Sequence, residues 1–261
     1  MTGTKMQGKR ISCVDLIVTE VKLFSPQLFL LELSPMDGET LPECKPGQFV
    51  ELQVKGCDQV FLRRPISVYY SDDRRLGLLI RVAGNGTEQL SKAKVGDRIS
   101  TILPLGNTFS APQGRRPLLV GGGVGLAPML SLGTKLKAEG IEPVFLLGGR
   151  DAHAFPDLAL FEETGVLHLT TEDASIGEKG FVTDHSILNE DFSDVYVCGP
   201  TPMMKAVAKW AKSKELRCEV SLENMMACGM GVCLCCVEPT TKGHKCVCTD
   251  GPVFNTQDLL W

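Results

Sequence analysis

The chain has 261 residues, of which 43% are hydrophobic and 22% charged, with a formal net charge of −4. That is enough chain for two domains with separate cores, in the proportions of a soluble globular protein. The acidic balance argues against a general nucleic-acid binder, whose affinity comes from clustered Lys and Arg, and no apolar run reaches the ~18 residues that a membrane helix needs. The opening stretch MTGTKMQGKR is polar and lacks an apolar secretion signal, so a cytoplasmic protein is expected. Up to about residue 112, short β-rich runs separated by Pro, Gly and Asp predict an antiparallel barrel: ISCVDLIVTEVKLF, QLFLLELS, GQFVELQV, PISVYY and LGLLIRVAG. One short helix is predicted over residues 87–93. The loop SAPQGRRP, residues 110–117, marks the boundary. Beyond it PLLVGG, GLAPMLSLGTKLKAEG, PVFLLGG, VLHLT, VYVCG and PMMKAVAKWAKSKEL alternate strand with helix, the pattern of a parallel α/β sheet. After Ser221 the periodicity stops. The expected division is therefore 1–112, 113–222 and a Cys/Gly-rich segment 223–261.

Of eleven cysteines, six lie between positions 228 and 248. Cys228, Cys233, Cys236 and Cys248 follow the C-x₄-C-x₂-C…C spacing of a plant-type [2Fe–2S] cluster, with Gly229 and Gly231 able to bring backbone amides close to sulfide. Structural zinc is the alternative, although it takes its cysteines in short paired knuckles that this spacing fits poorly; a disulfide framework suits a secreted chain better. Cys235 and Cys246 crowd the same stretch but break the spacing, so they are not expected to ligate. Cys13, Cys44, Cys57, Cys198 and Cys218 read as small buried hydrophobes.

Three weaker motifs precede the cysteines. Arg63 and Arg64 beside Pro65, Ile66 and Ser67 form a rigid basic strand end, suited to a phosphate or else a solvated arginine pair. Gly86 and Thr87 open the predicted short helix, whose amides could take a second phosphate oxygen or serve only a turn. Gly121, Gly122, Gly123 and Gly125 lie between a strand and a helix, where they either cradle a phosphate or allow close packing; the strict dinucleotide fingerprint is absent. His153, His168, His185 and His244 are scattered through the sequence and suggest no catalytic set.

Together, R-R-P-I-S, G-T, G-G-G-V-G-L-A-P and C-G-P resemble the ferredoxin-reductase superfamily. With M-A-C-G-M-G-V-C-L-C-C-V and C-V-C-T-D-G-P-V-F added, the whole chain resembles the electron-transfer subunits of type B dihydroorotate dehydrogenases, departing at Cys235. That resemblance implies a flavin-binding barrel with FAD on Arg64, Pro65, Ile66, Ser67, Leu79, Ile80, Arg81, Gly86 and Thr87. It implies NAD(H) near Gly121, Gly122, Gly123, Gly125, Cys198, Gly199 and Pro200, and the cluster on the four cysteines. Electrons would pass from NADH through FAD and the cluster to an FMN-containing catalytic subunit, two of each chain forming a heterotetramer for pyrimidine biosynthesis. The alternatives are the small subunit of an NADH-dependent ferredoxin:NADP oxidoreductase or sulfide dehydrogenase, and a non-enzymatic iron–sulfur sensor. The acids of Thr170-Thr171-Glu172-Asp173 favour NADH over NADPH, and the chain's end, through Leu259, Leu260 and Trp261, is expected near the surface where electrons leave.

Overall fold

The computed structural model describes residues 11–261; the polar stretch 1–10, and the expectation about targeting drawn from it, lie outside the described residues. The first half comprises β1 (Ser12–Ser25), β2 (Leu28–Ser34), β3 (Phe49–Leu52), β4 (Arg64–Ser67), β5 (Tyr70–Ser71), β6 (Leu76–Arg81), α1 (Asn85–Ser91) and β7 (Arg98–Leu105). Its strands form one antiparallel sheet in the order β4-β3-β7-β1-β2-β6-β5. The opposite edges, β4 and β5, are joined only by Val68 and Tyr69, so the sheet must curl on itself. Leu16, Val18, Leu31, Leu33, Val50 and Leu78 fill the inside of the curl.

Two features differ from the sequence reading. The short helix starts at Asn85 and ends at Ser91, two residues earlier at each end than the predicted 87–93, because the turn at Gly84 already directs the chain into it. Strand β7, which no predicted run covers, lies between β3 and β1 near the middle of the sheet.

The second half adds β8 (Pro117–Gly122), α2 (Leu126–Ala138), β9 (Val144–Gly149), α3 (Leu158–Thr164), β10 (Val166–Thr171), β11 (Glu178–Lys179), β12 (Asp194–Cys198), α4 (Thr201–Ser213) and β13 (Arg217–Ser221). The tail supplies β14 (Val237–Thr240), β15 (Gly243–Cys246) and β16 (Val253–Asn255). The sheet order is β11-β10-β9-β8-β12-β13-β16, parallel throughout except for β16, which pairs antiparallel with β13. One face packs on α2 through Leu126, Met129, Leu130 and Leu136, in a core shared with Tyr69 and Leu79 of the first half. The other face takes α4 through Met204, Val207 and Ala211, an i, i+3, i+7 stripe, together with Phe254 and Leu259 from the tail. None of the helices among the described residues is long and apolar enough to cross a membrane.

The connecting loop is anchored to the sheet it precedes. Ser110 donates to the Glu219 carboxylate, Gln113 N–H to Asp194 Oδ2 at 2.8 Å, and Arg217 bridges Asp194 and the Ala111 carbonyl. Asp194 is fully buried, so these partners satisfy a carboxylate that would be costly to leave bare.

Candidate functional site

A cleft of about 240 Å³ opens where the curled sheet, the α/β sheet and the tail meet. Pro65, Ile66, Ser67, Leu79, Ile80, Arg81 and Thr87 of the resemblance-derived flavin set line it, with Phe49, Ala83, Val124, Leu222, Glu223, Asn224, Met226 and Pro252. Strand β4 is an edge strand, which is why Pro65, lacking an N–H, is tolerated there and why outward main-chain groups remain for a ligand. Arg64 and Gly86 stand together: a Cβ at position 86 would collide with the Arg64 guanidinium. The Thr87 hydroxyl is already used, accepting the Ala83 N–H at 2.8 Å and donating to the Gly84 carbonyl at 3.0 Å. Arg63 turns away from this set, donating to the Ser100 carbonyl at 2.6 Å and the Ser100 hydroxyl at 2.9 Å.

The glycine run and C-G-P meet at the switch point of the α/β sheet, where the chain leaves β8 for β9 on one side and later returns to β12 on the other. Ligands of such sheets bind at the carboxyl ends of the strands flanking this point. Gly121 and Cys198 pair directly across β8 and β12. A Cβ at Gly125 would collide with the Cys198 carbonyl, so that glycine is a packing requirement, whereas one at Gly122 would lie 2.7 Å from Met203 Sδ, the movable end of a flexible side chain. Gly123, at φ +59, faces open space and leaves room for a ligand backbone approach. Pro200 caps α4, which follows at once.

Glu223 was missed by the sequence reading. It lines the cleft, and its Oε1 accepts from buried Cys198 Sγ at 3.9 Å. Burial pushes both groups up from their ordinary pKa, most strongly Cys198; Arg81 pulls Glu223 the other way. The pair links the switch point, through Cys198, to the cleft, through Glu223. Its signal was positional: Glu223 and Asn224 lie just past Leu222, the first residue after the carboxyl end of β13.

The four spaced cysteines are gathered with backbone amides aimed at their sulfurs. Met230 N–H and Cys233 N–H each donate to Cys228 Sγ at 3.4 Å, Gly231 N–H to Cys248 Sγ at 3.1 Å, and Cys248 N–H to Cys236 Sγ at 3.4 Å. Positive φ at Gly229, Gly231 and Leu234 shapes the loop that turns these amides inward. The amides bring the Cys228 thiol down to about 6, while burial pushes Cys248 up to about 12. Among the described residues no three His, Cys, Asp or Glu side chains form a single-ion site; the thiols pair as Cys228 with Cys233 and Cys236 with Cys248. Two thiol pairs with amide donors are a fitting ligand set for a two-iron cluster. Cys235 is exposed, and the N–H of Cys246 is committed to Asp250 Oδ2 at 2.9 Å. Cys198 and Cys218 are buried as expected, whereas Cys13 is exposed at the start of β1, beside Ser100.

Comparison with known proteins accords with this layout. Residues 223–260 match the iron–sulfur cluster binding domain of dihydroorotate dehydrogenase B, and residues 119–209 an oxidoreductase NAD-binding domain. The chain is 40% identical over 223 residues to the dihydroorotate dehydrogenase B (NAD(+)) electron transfer subunit of Caldanaerobacter subterraneus subsp. tengcongensis, covering 83% of this chain and 87% of that one. It is 35% identical over 260 residues to the subunit of the same name from Bacillus mycoides, covering 94% and 98%. Among solved structures, a chain of the NADH-dependent reduced ferredoxin-NADP oxidoreductase superposes with a TM-score of 0.84 at 29% identity, over 98% of this chain and 92% of that one. With a curled antiparallel sheet, a parallel nucleotide-binding sheet and a cysteine-rich tail in one chain, the protein belongs to the family of dihydroorotate dehydrogenase B (NAD(+)) electron transfer subunits.

Proposed function

We propose that the three sites of this electron-transfer subunit act in a line, from the switch point of the α/β sheet, through the cleft, to the cysteine loop. The observation that carries this reading is the cleft's lining: Val124 belongs to the glycine turn at the switch point, and Met226 stands two residues before Cys228. A flavin in the cleft would therefore touch the nicotinamide side on one wall and the cluster side on another. When bound, FAD accepts a hydride as two electrons and releases them singly, and a [2Fe–2S] cluster carries one at a time. The chain's residues hold and orient: Pro65, Ile66 and Ser67 offer an edge strand, Arg81 a cation, and Gly121, Gly122, Gly123 and Gly125 with Cys198, Gly199 and Pro200 a close-packed floor for NADH. The Cys198–Glu223 pair links that floor to the cleft. Cys228, Cys233, Cys236 and Cys248 would hold the cluster.

The partner is an FMN-containing dihydroorotate dehydrogenase catalytic subunit in a cytoplasmic complex of two plus two chains. Met225, Met230, Val232 and Leu234 support a docking face on the cluster side, since Met225 is 83% and Val232 81% exposed around the cysteine loop. The test is the visible spectrum and cofactor content of the purified chain, with identification of the subunit that copurifies. Flavin with about two irons per chain is expected. Zinc in their place, or copurification with a ferredoxin:NADP oxidoreductase large subunit, overturns the corresponding part of the reading.

A further inference from the structure

Strand β3 carries a carboxyl group that its surroundings do not satisfy. Glu51 is 2% exposed, every residue of its strand is buried, and its Oε1 has no hydrogen-bond partner among the described residues. An unpaired buried polar atom forfeits its hydration without replacement, so its presence calls for an explanation. The register sets Glu51 opposite Pro65, one strand in from the edge that walls the cleft. Strand alternation puts Glu51 on the same face as Phe49, which lines that cleft.

The carboxyl group is lodged under the cysteine loop. A Cβ at Gly229 would lie 2.6 Å from Glu51 Oε1, 2.8 Å from its Cδ and 3.2 Å from Leu105 Cδ1. Gly229 directly follows Cys228, so the space that a side chain would take there is filled by a carboxyl group from the other half of the molecule. Burial pushes the Glu51 carboxyl up from its ordinary pKa, and Arg63, its charged neighbour, pulls it back toward the ionised form. Its guanidinium is held by neutral acceptors, the Ser100 carbonyl and hydroxyl, and reaches the Glu51 backbone carbonyl at 3.4 Å. Above its raised pKa the Glu51 charge is only partly balanced, and it borders the loop in a poorly solvated place where charge acts strongly.

We propose that Glu51 is a positioning residue that sets the potential of the iron–sulfur cluster: its carboxylate, held beneath Gly229, disfavours an electron on the cluster and so promotes its onward transfer. The inference rests on the four-cysteine reading of the cluster. Glutamine at position 51 keeps the shape and removes the charge, aspartate keeps the charge, and Arg63→Gln removes the opposing cation.

The experiment is an EPR-monitored redox titration of the full chain and these three variants at about pH 8.5, well above the usual carboxylate range. Iron, sulfide and flavin are counted in each. Glu51→Gln is expected to keep its iron and to shift the cluster midpoint upward; Glu51→Asp stays near the parent value, and Arg63→Gln shifts downward. A purely steric role for Glu51 would leave the midpoint of the iron-loaded Glu51→Gln variant unmoved, and that result overturns the proposal. If Glu51→Gln fails to take up iron, Arg63→Gln decides, because an unchanged or raised midpoint there is equally fatal. An iron-free parent chain would sink the cluster reading, and this inference with it, a failure distinct from an iron-loaded variant with an unmoved midpoint.

Discussion

Cys228 and Cys235 lie seven residues apart, yet their sulfurs meet different surroundings. Cys228 Sγ accepts two backbone N–H groups, which favour its thiolate form, while Cys235 is exposed in the same loop. Serine at Cys228, Cys233, Cys236 or Cys248 should therefore abolish the cluster's EPR signal and lower its iron content, whereas Cys235→Ser and Cys246→Ser should retain both. Loss on Cys235→Ser with retention on Cys236→Ser would mean the register is wrong. A second residue-scale expectation concerns the nucleotide. Glu172 and Asp173 follow the end of β10 and are exposed, and the Ser175 hydroxyl and amide hold the Asp173 carboxyl below its ordinary range, so it stays ionised. Arg150 is adjacent, its carbonyl accepting the Asp173 N–H at 3.2 Å, so one cation stands against two anions. Repulsion of a 2′-phosphate by these exposed, solvent-screened charges is expected to favour NADH over NADPH in kcat/KM, more so at low ionic strength. Comparable kcat/KM values for NADH and NADPH would defeat this expectation.

At the scale of elements, the switch point depends on how closely α2 approaches β12. Gly125 has φ −62, which alanine adopts freely, so the cost of Gly125→Ala is steric: its methyl meets the Cys198 carbonyl. A loss of about 1–3 kcal/mol in stability is expected from such overpacking, together with a raised KM for NADH and unchanged flavin content. Gly140→Ala provides the control. Its φ of +76 strains alanine, but the space around it is open, so only stability should fall, by about 1 kcal/mol. An unchanged KM in Gly125→Ala assigns that glycine to packing alone. The same elements explain what was legible beforehand. Strands and helices of the α/β half stood out because their apolar runs are long and divided by glycines, and the cysteines because ligand spacing is local. Strand β7 escaped because its buried face includes Thr101 and it carries Pro104, which reads as a breaker. Helix α3, at seven residues, is too short to display a period. Glu51 and Glu223 acquire meaning only from partners distant in sequence, Gly229 for one and Cys198 for the other.

Across the whole molecule, the tail joins the two halves. Strand β16 extends the α/β sheet, and Asn107, from the connecting loop, grips the D-G-P-V segment: its side-chain amide donates to the carbonyls of Asp250 and Val253, and its Oδ1 accepts the Val253 N–H. Val253, Phe254 and Leu259 are buried in the shared cores, so most of the final stretch docks internally and is not a partner face. The chain end differs. Leu260 is 63% exposed and Trp261 38%, with Lys205 Nζ 5.7 Å from the Trp261 ring. Two truncations therefore separate stability from docking. Removing Leu259 with the two residues after it should cost about 1.5–3 kcal/mol, the value of one buried leucine, and lower the Tm. Removing only Leu260 and Trp261 should change stability by less than ~0.5 kcal/mol and leave NADH oxidation by an artificial dye intact. If these two residues belong to the docking face, the shorter deletion also weakens the complex with the catalytic subunit and slows NADH-linked orotate turnover. A complex undiminished by gel filtration, with turnover unchanged, would move that face entirely onto Met225, Met230, Val232 and Leu234 around the cysteine loop.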